Sequence, residues 1–421
     1  MLSQVDSNRI QTSIQTLVGF GTRNTCSDNS GATPGIGAAR DWIQSQFAAL
    51  PGLEVRLDPW TYAGCGTRTL HNVIAWIPGS GNPNRLIVIG GHYDSRNTSS
   101  TDGINPAPGA NDSGSQTALV LEAARVMAGH TFDATVVFAA WSGEEQGLLG
   151  SSAFVQHFRN YFPNGTLELN LNCDIVGGDN TVNNATALQQ FRLFSPGTPR
   201  EISSVNGTTD DTSPSRGIMR HIGYWGGAYL PTMAMLPQLR EDRIGRGGDH
   251  KSFIANSIPA VRFIDVNENL SHQHTPDDLF VYLTPAFTAR VAQVVVATAA
   301  SLARASTPPV TMVATKSSTN VVKLTWSAPV SGPPVSNYVI SARTYTENFY
   351  RTRFFVPAGL TTATARVVED LGIPSGTPYY VSIAAVDANG HESLYAYSEY
   401  RCTSTNKCSR PSDALNVTAT R

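Results

Sequence analysis

No stretch of this chain reaches the roughly 18 consecutive apolar residues that a membrane helix requires. The opening residues have neither a basic start nor an apolar run, so no membrane span is expected. Excess charge of one sign is also missing: 30 Lys and Arg stand against 32 Asp and Glu, a net charge of -2. Nucleic acid and anionic lipid select proteins with basic surface, so neither is expected as a partner. Low-complexity tracts are absent, and with 41% hydrophobic and 15% charged residues the chain has enough apolar side chain to build a core. Cysteine is scarce, with five residues in 421, at positions 26, 65, 173, 402 and 408. Spacing alone does not decide their pairing. We read Cys402–Cys408 as a short crosslinked loop, Cys26–Cys65 as a second bridge, and Cys173 as a buried thiol beside Asp174. Two bridges imply an oxidising compartment, hence a secreted protein whose signal peptide is absent from this chain.

What is present divides in two. Across residues 68–266, apolar runs of strand length alternate with helical patterns, which predicts an α/β fold: a mixed, mostly parallel sheet with helices on both faces. The expected strands are His71–Ile77, Leu86–Gly91, Thr135–Trp141, Leu167–Cys173, Thr232–Leu239 and Ala260–Val266. Ile36, Ala39, Ile43, Phe47 and Leu50 recur at helical spacing, Ser113–Met127 reads as a buried helix, and Thr284-Pro285 opens a last helix ending near Arg304. After the linker Ser306–Pro309 come short alternating strands: Val321–Trp326, Asn337–Arg343, Ala363–Val368, Tyr379–Val386 and Ala414–Thr420. We therefore expect a domain over 1–305 and an all-β immunoglobulin-like sandwich over 306–421. The second part resembles a fibronectin type III module through Leu324-Thr325-Trp326 and Gly376-Thr377-Pro378-Tyr379. That resemblance makes Trp326 the core tryptophan and Tyr379 a corner tyrosine whose hydroxyl ties back to the chain.

The chemistry lies at strand ends. The strand Leu86–Gly90 runs directly into Gly91-His92-Tyr93-Asp94, so His92 and Asp94 leave the sheet together at its carboxyl end, where α/β folds place their sites. A neutral imidazole is a good zinc ligand, and a carboxylate two residues on can take its second N–H. Asp112 follows at the mouth of the next helix, in Asn111-Asp112-Ser113-Gly114. Helix capping is the simpler account of it taken alone; a carboxylate bridging two cations is the functional one. Glu144 and Glu145 follow the strand Thr135–Trp141 through Ser142-Gly143. Paired acids often decorate a solvated first turn, but after a buried strand both enter a site. We assign Glu145 to a metal and Glu144 as the base that takes a proton from the water. Asp174, at the tip of Leu167–Cys173, is either a turn starter or an oxygen ligand. His274 sits in the loop after the last strand; His272 is read as a solvated loop residue and Asp278 as a carboxylate that orients His274.

Taken in order, His-x-Asp, Asn-Asp-x-Gly, Glu-Glu, Asp and His-Thr-x-x-Asp resemble the secreted two-zinc aminopeptidases, relatives of bacterial leucine aminopeptidase, over about residues 10–305. The resemblance implies a zinc exopeptidase-like fold and two zinc ions per chain. It puts one ion on His92 and Asp174 and the other on Glu145 and His274, with Asp112 between them and Asp94 behind. It also brings Gly245–Phe253 close to the substrate, where His250 would hydrogen-bond the tetrahedral intermediate. Phe253 would wall an apolar pocket with Tyr224 or Met235, although core packing is the simpler account of each aromatic.

The expected function is hydrolysis of the N-terminal peptide bond of a peptide or protein, with Glu144 as general base. No serine nucleophile is needed, since Trp141-Ser142-Gly143-Glu144 lacks the Gly-x-Ser-x-Gly elbow. Arg240, Arg243 and Arg246 keep a carboxypeptidase or dipeptidase open: Arg246 in the site would bind a terminal carboxylate, whereas a free amine would lie near Glu241 or Asp242. A glutaminyl cyclase, built on a related fold with one zinc, is the second alternative, and the complete ligand set counts against it. The non-enzymatic alternative is an extracellular adhesion protein whose C-terminal module binds a surface or polysaccharide.

Overall fold

A computed structural model describes residues 1–197, 213–243, 245–397, 399–404 and 407–410. Eight strands form one sheet: β1 (Glu54–Tyr62), β2 (Arg68–Ile77), β3 (Asn82–His92), β4 (Ala134–Trp141), β5 (Thr166–Cys173), β6 (Gln190–Phe194), β7 (Ala234–Gln238) and β8 (Ala260–Ile264). They lie in the order β1-β2-β4-β3-β5-β8-β6-β7. β4, β3, β5 and β8 run parallel, while β1 and β2 on one flank and β6 on the other are antiparallel to their neighbours. The reason is visible in the side chains. Every residue of β4 is buried, as a strand covered on both faces requires. β1 exposes Glu54, Arg56 and Pro59 and sits at an edge, which is why its strand pattern is not legible in the sequence.

Helices cover both faces. Gln116–Met127 is buried at every residue but Arg125 and packs on β3 and β4. On the other face Leu149–His157 and His250–Ala255 pack on the sheet and on each other, with Phe154 and Phe253 against Trp141. The last helix spans Pro285–Arg304. It is long and apolar enough to cross a bilayer, but 72% of its most apolar stretch is buried in the fold, as suits a core helix.

Two compact units divide the chain. The first gathers Met1–Phe194, Trp225–Pro237 and Arg246–Ala300; the second takes Ser195–Tyr224, Gln238–Gly245 and Ser301–Arg421. The last crossing lies close to the expected boundary at 305, and two segments of the earlier region group with the C-terminal part. That part is all β. One sheet orders β9 (Val310–Ser318), β10 (Val321–Ser327) and β13 (Thr362–Arg366) as β13-β10-β9. The other orders β11 (Val335–Thr344), β12 (Phe354–Pro357), β14 (Tyr379–Asp387), β15 (Tyr400–Cys402) and β16 (Cys408–Ser409) as β12-β11-β14-β15-β16. One apolar core joins both sheets, with Trp326 edge-on to Tyr338 at 5.1 Å.

Tyr379 is buried in that core, but its hydroxyl has no hydrogen-bond partner among the described residues. Among the described residues the expected tie back to the chain is not made, and Lys316 lies over the ring. The expected strand Ala414–Thr420 lies outside the described residues. Both expected disulfides are present, Cys26–Cys65 and Cys402–Cys408, and Cys173 is a buried free thiol.

Candidate metal centre

Register brings the site together. His92 on β3 is level with Trp141 on β4, and Gly90 is level with Asn172 on β5. His92, the Glu144-Glu145 turn and Asp174 thus emerge side by side at the carboxyl edge. Asp112 reaches them from a distorted turn over residues 110–115, where its own dihedrals, φ -107° and ψ 84°, leave the helix before the regular Gln116–Met127 begins. Strain collects here. Of the five described non-glycine residues with positive φ, three are His274 itself, Ile175 next to Asp174, and Leu148 in the turn after Glu145. Each costs on the order of 1–3 kcal/mol and persists only where the surroundings impose it.

Two trios of ligand atoms result, His92–Asp112–Asp174 and Asp112–Glu145–His274, each lying within 4.8 Å of one another. The His92 Nε2 is 3.2 Å from Asp112 Oδ1 and 3.5 Å from Asp174 Oδ1. The His274 Nε2 is 3.1 Å from Asp112 Oδ2 and 3.2 Å from Glu145 Oε2. Asp112 therefore faces one trio with each oxygen. Its Oδ1 and the Glu145 Oε1 are buried without a hydrogen-bond partner, a position that costs about 1–3 kcal/mol per group unless something positive meets them. Imidazole nitrogen and carboxylate oxygen are zinc's ligands, so the residues fit that ion.

The charges tell the same story. Burial alone lowers a histidine's pKa, yet the charge of Glu144 and the carboxylates of Asp112, Asp174 and Asp94 hold His92 well above its ordinary value. His274 is likewise depressed by burial but raised on balance to about 9 by Asp112 and Glu145. Glu144 is pushed well above the usual carboxylate range by burial, with His92 opposing and Glu145, Asp174 and Asp249 adding to the rise. So dense a set of carboxylates demands positive charge, which protonated imidazoles or divalent cations can supply.

The supporting contacts differ in part from expectation. His92 Nδ1 meets the main-chain oxygen of Asp94 at 3.1 Å, while the Asp94 carboxylate is 3.5 Å away. That carboxylate instead accepts the Glu144 and Glu145 N–H groups at 3.3 and 3.2 Å. Asp278 does not orient His274: its oxygens accept the N–H groups of Asn111 and Asp112 at 2.8 and 2.9 Å. His272 is not a solvated loop residue. It bonds Asp179 at 2.8 Å and stacks on Tyr282.

Three residues were missed altogether. Arg96 reaches Glu145 Oε2 at 2.9 Å and His274 Nδ1 at 2.6 Å. Arg262 holds Asp174 Oδ2 at 3.0 Å, and Gln273 donates to Asp112 Oδ2 at 2.7 Å. No local signal marks these residues. Asp249, within Gly245–Phe253, is also buried, and burial pushes its pKa up to about 7.

The expected substrate residues scatter. Phe253 is fully buried against Trp141 and belongs to the core rather than to a pocket wall. Apolar residues on a short helix that covers a sheet face are drawn inward. Tyr224 belongs to the second unit, where its ring lies 4.7 Å from Arg353. His250 is buried at the start of His250–Ala255. Arg246 is ion-paired with Glu268 and donates to Gln273 at 3.2 Å. Arg240 and Arg243 fall in the second unit, with Arg243 paired to Asp242 at 3.3 Å.

Residues 72–299 match the model of peptidase family M28. A protein of Pyrenophora tritici-repentis named "probable zinc metalloprotease" is 35% identical over 82% of this chain and 85% of its own length. Among solved structures, the LapA aminopeptidase of Legionella pneumophila aligns with a TM-score of 0.56 at 20% identity, over 72% of this chain and 73% of its own. A glutaminyl cyclase of Fimbriiglobus ruber aligns at 0.50 and 20%, over 70% and 94%. Identity this low speaks for the fold alone, and the same fold serves both activities. The sequence match carries more: laid over the strand ends that bear the ligand trios, it makes this chain a member of peptidase family M28 and its chemistry that of a zinc peptidase.

Proposed function

We propose that this protein is an exported aminopeptidase that uses two zinc ions and takes Glu144 as its general base. The observation that carries the reading is Asp112, which is buried and faces a complete trio with each oxygen, His92 at Oδ1 and His274 at Oδ2. His92 and Asp174 would hold one ion, Glu145 and His274 the other, with Asp112 shared. Zinc bound there supplies a Lewis acid for the scissile carbonyl and an acidified water. Glu144 accepts the water's proton and returns it to the leaving amine, and Asp94 holds the Glu144 N–H so that the carboxylate stays aimed. The second trio favours this over a one-zinc glutaminyl cyclase.

The choice of chain end rests on Arg246. Its guanidinium is ion-paired with Glu268, a carboxylate it shares with Arg192. Burial would raise that acid, but Arg262, Arg246 and Arg192 hold it at about 2. A terminal carboxylate would have to displace this pairing, which supports recognition of an amine instead. Two disulfides support export, and two antiparallel sheets around Trp326 support the fibronectin type III-like reading of the C-terminal part.

The test is mass spectrometry of one peptide, with free and with acetylated amino terminus, incubated with zinc-loaded and chelated protein. Stepwise loss from the free amino end, abolished by acetylation and by chelation, is expected. Loss from the carboxyl end despite acetylation overturns the assignment of the chain end.

A further inference from the structure

The family match begins at residue 72, yet the loops that carry its ligands are held from outside it. Arg23 is fully buried and spends its guanidinium on main-chain oxygens around the site. It donates to Tyr93 at 2.7 Å, between His92 and Asp94, and to Pro108 and Gly109 at 2.7 and 2.9 Å, just ahead of Asp112. A further donation goes to Leu17, and Ser113 Oγ lies at 3.4 Å. Two residues on, Thr25 donates to the side-chain oxygen of Gln146, the residue directly after Glu144 and Glu145. The other end of that amide donates to Ser100 O at 2.6 Å, an oxygen that also accepts from Asn24 at 3.1 Å. One short segment thus touches the loops of His92, Asp112 and Glu145.

That segment has almost no regular structure of its own, so something must hold it. Cys26 is crosslinked to Cys65, and Arg68 donates to Ser27 O at 2.8 Å and Thr25 O at 3.3 Å. We propose that residues 22–27 form a strap that positions the metal-binding loops, with Thr25–Gln146 as its contact to the catalytic turn and the Cys26–Cys65 bridge as its lock. Thr25 and Gln146 are positioning residues. They touch no ligand atom and act through the turn that carries Glu144 and Glu145. Both cysteines are only partly buried, so a reductant can reach the bridge. This inference rests on the zinc-peptidase reading of the trios and adds an oxidation requirement to it.

The experiment is a double-mutant cycle in the full chain, with Thr25→Val, the pair Cys26→Ser/Cys65→Ser, and the triple variant. Two quantities are read: the rate at which a chromogenic chelator removes zinc, and kcat with KM on a free-amino peptide. Supporting contacts behind metal ligands are typically worth 10–100-fold. Thr25→Val and the cysteine pair are therefore each expected to speed zinc loss and lower kcat by about 10-fold while KM stays within about twofold. The triple variant is expected to be no worse than the cysteine pair, because an unlocked strap has already released Thr25. Wild-type zinc retention and kcat in Thr25→Val, or effects that multiply in the triple variant, overturn the strap. Since zinc loss needs no substrate, a wild-type protein that shows the expected zinc behaviour but trims no amino end refutes the proposed activity and leaves the strap standing.

Discussion

Replacing Asp94 with asparagine isolates what holds the catalytic turn. The carboxylate is fully buried and takes the Glu144 N–H with Oδ1 and the Glu145 N–H with Oδ2, at 3.3 and 3.2 Å. Asparagine has nearly the same shape but only one acceptor oxygen, so one of the two N–H groups comes to face an NH2. A hydrogen bond to a charged acceptor is worth about 1.5–3 kcal/mol, and the orphaned N–H adds a desolvation cost of about 1–3 kcal/mol. The turn relieves this by moving, which shifts the base and one ligand together. A loss of kcat of about 10–100-fold is expected, with zinc affinity falling by a similar factor, since both pass through the same backbone. The assay pairs steady-state turnover of a free-amino peptide with competitive zinc titration. If Asp94→Asn keeps wild-type kcat and wild-type zinc affinity, the two amide contacts do not position the turn and the account of Asp94 is wrong. If zinc weakens while kcat at saturating zinc is unchanged, Asp94 serves the ligands Glu145 and His92 and not Glu144.

Glu144→Gln is expected to bind zinc as the wild type does while losing nearly all turnover; zinc lost along with activity would mean that base and ligand have been exchanged. Phe253→Ala should cost about 3–5 kcal/mol of stability, read from the denaturant midpoint, because the ring is fully buried against Trp141; a large rise in KM at unchanged stability would return Phe253 to the substrate pocket. In the second unit, Glu399 is held at about 2 although burial alone would raise it, because Arg220 and Arg343 outweigh burial. Its folded pKa lies below its ordinary 4.5, so its stabilisation is complete above pH 4.5 and drains away as the pH falls towards 2. The depression corresponds to about 3 kcal/mol. Acid titration of unfolding should show this slope in the wild type and lose it in Glu399→Gln, and an unchanged slope would show that the ion pair contributes nothing.

Much of the sheet is readable because burial on both faces forces continuous apolar runs, as in Thr135–Trp141 and Leu167–Cys173. β1 and β6 escaped, the first because an edge strand keeps the exposed Glu54, Arg56 and Pro59 in its pattern, the second because Gln190 and Arg192 interrupt its three apolar residues. The residues of the ligand trios could be singled out one by one, each with a simpler account beside it, and their grouping came from the family resemblance. A parallel strand must end somewhere, and polar residues placed directly after buried runs at His92, Glu144 and Asp174 have few reasons to be there.

What surrounds those ligands was not readable, and the reason is distance along the chain. Arg23, Arg96, Arg262 and Gln273 act through contacts that span up to 178 residues, and nothing in the neighbourhood of an arginine announces which carbonyl or carboxylate it will meet. Asp278 shows the limit of proximity as a guide: it stands four places from His274 in sequence, but the fold turns it to the Asn111 and Asp112 amides. Sequence by itself marked the residues that the fold gathers into the two trios, because ligand type and strand ends are local properties. Tertiary structure alone decided how those residues are aimed and which charges are already spent, as with Arg246 on Glu268, because buried polar groups must find partners wherever the fold brings them.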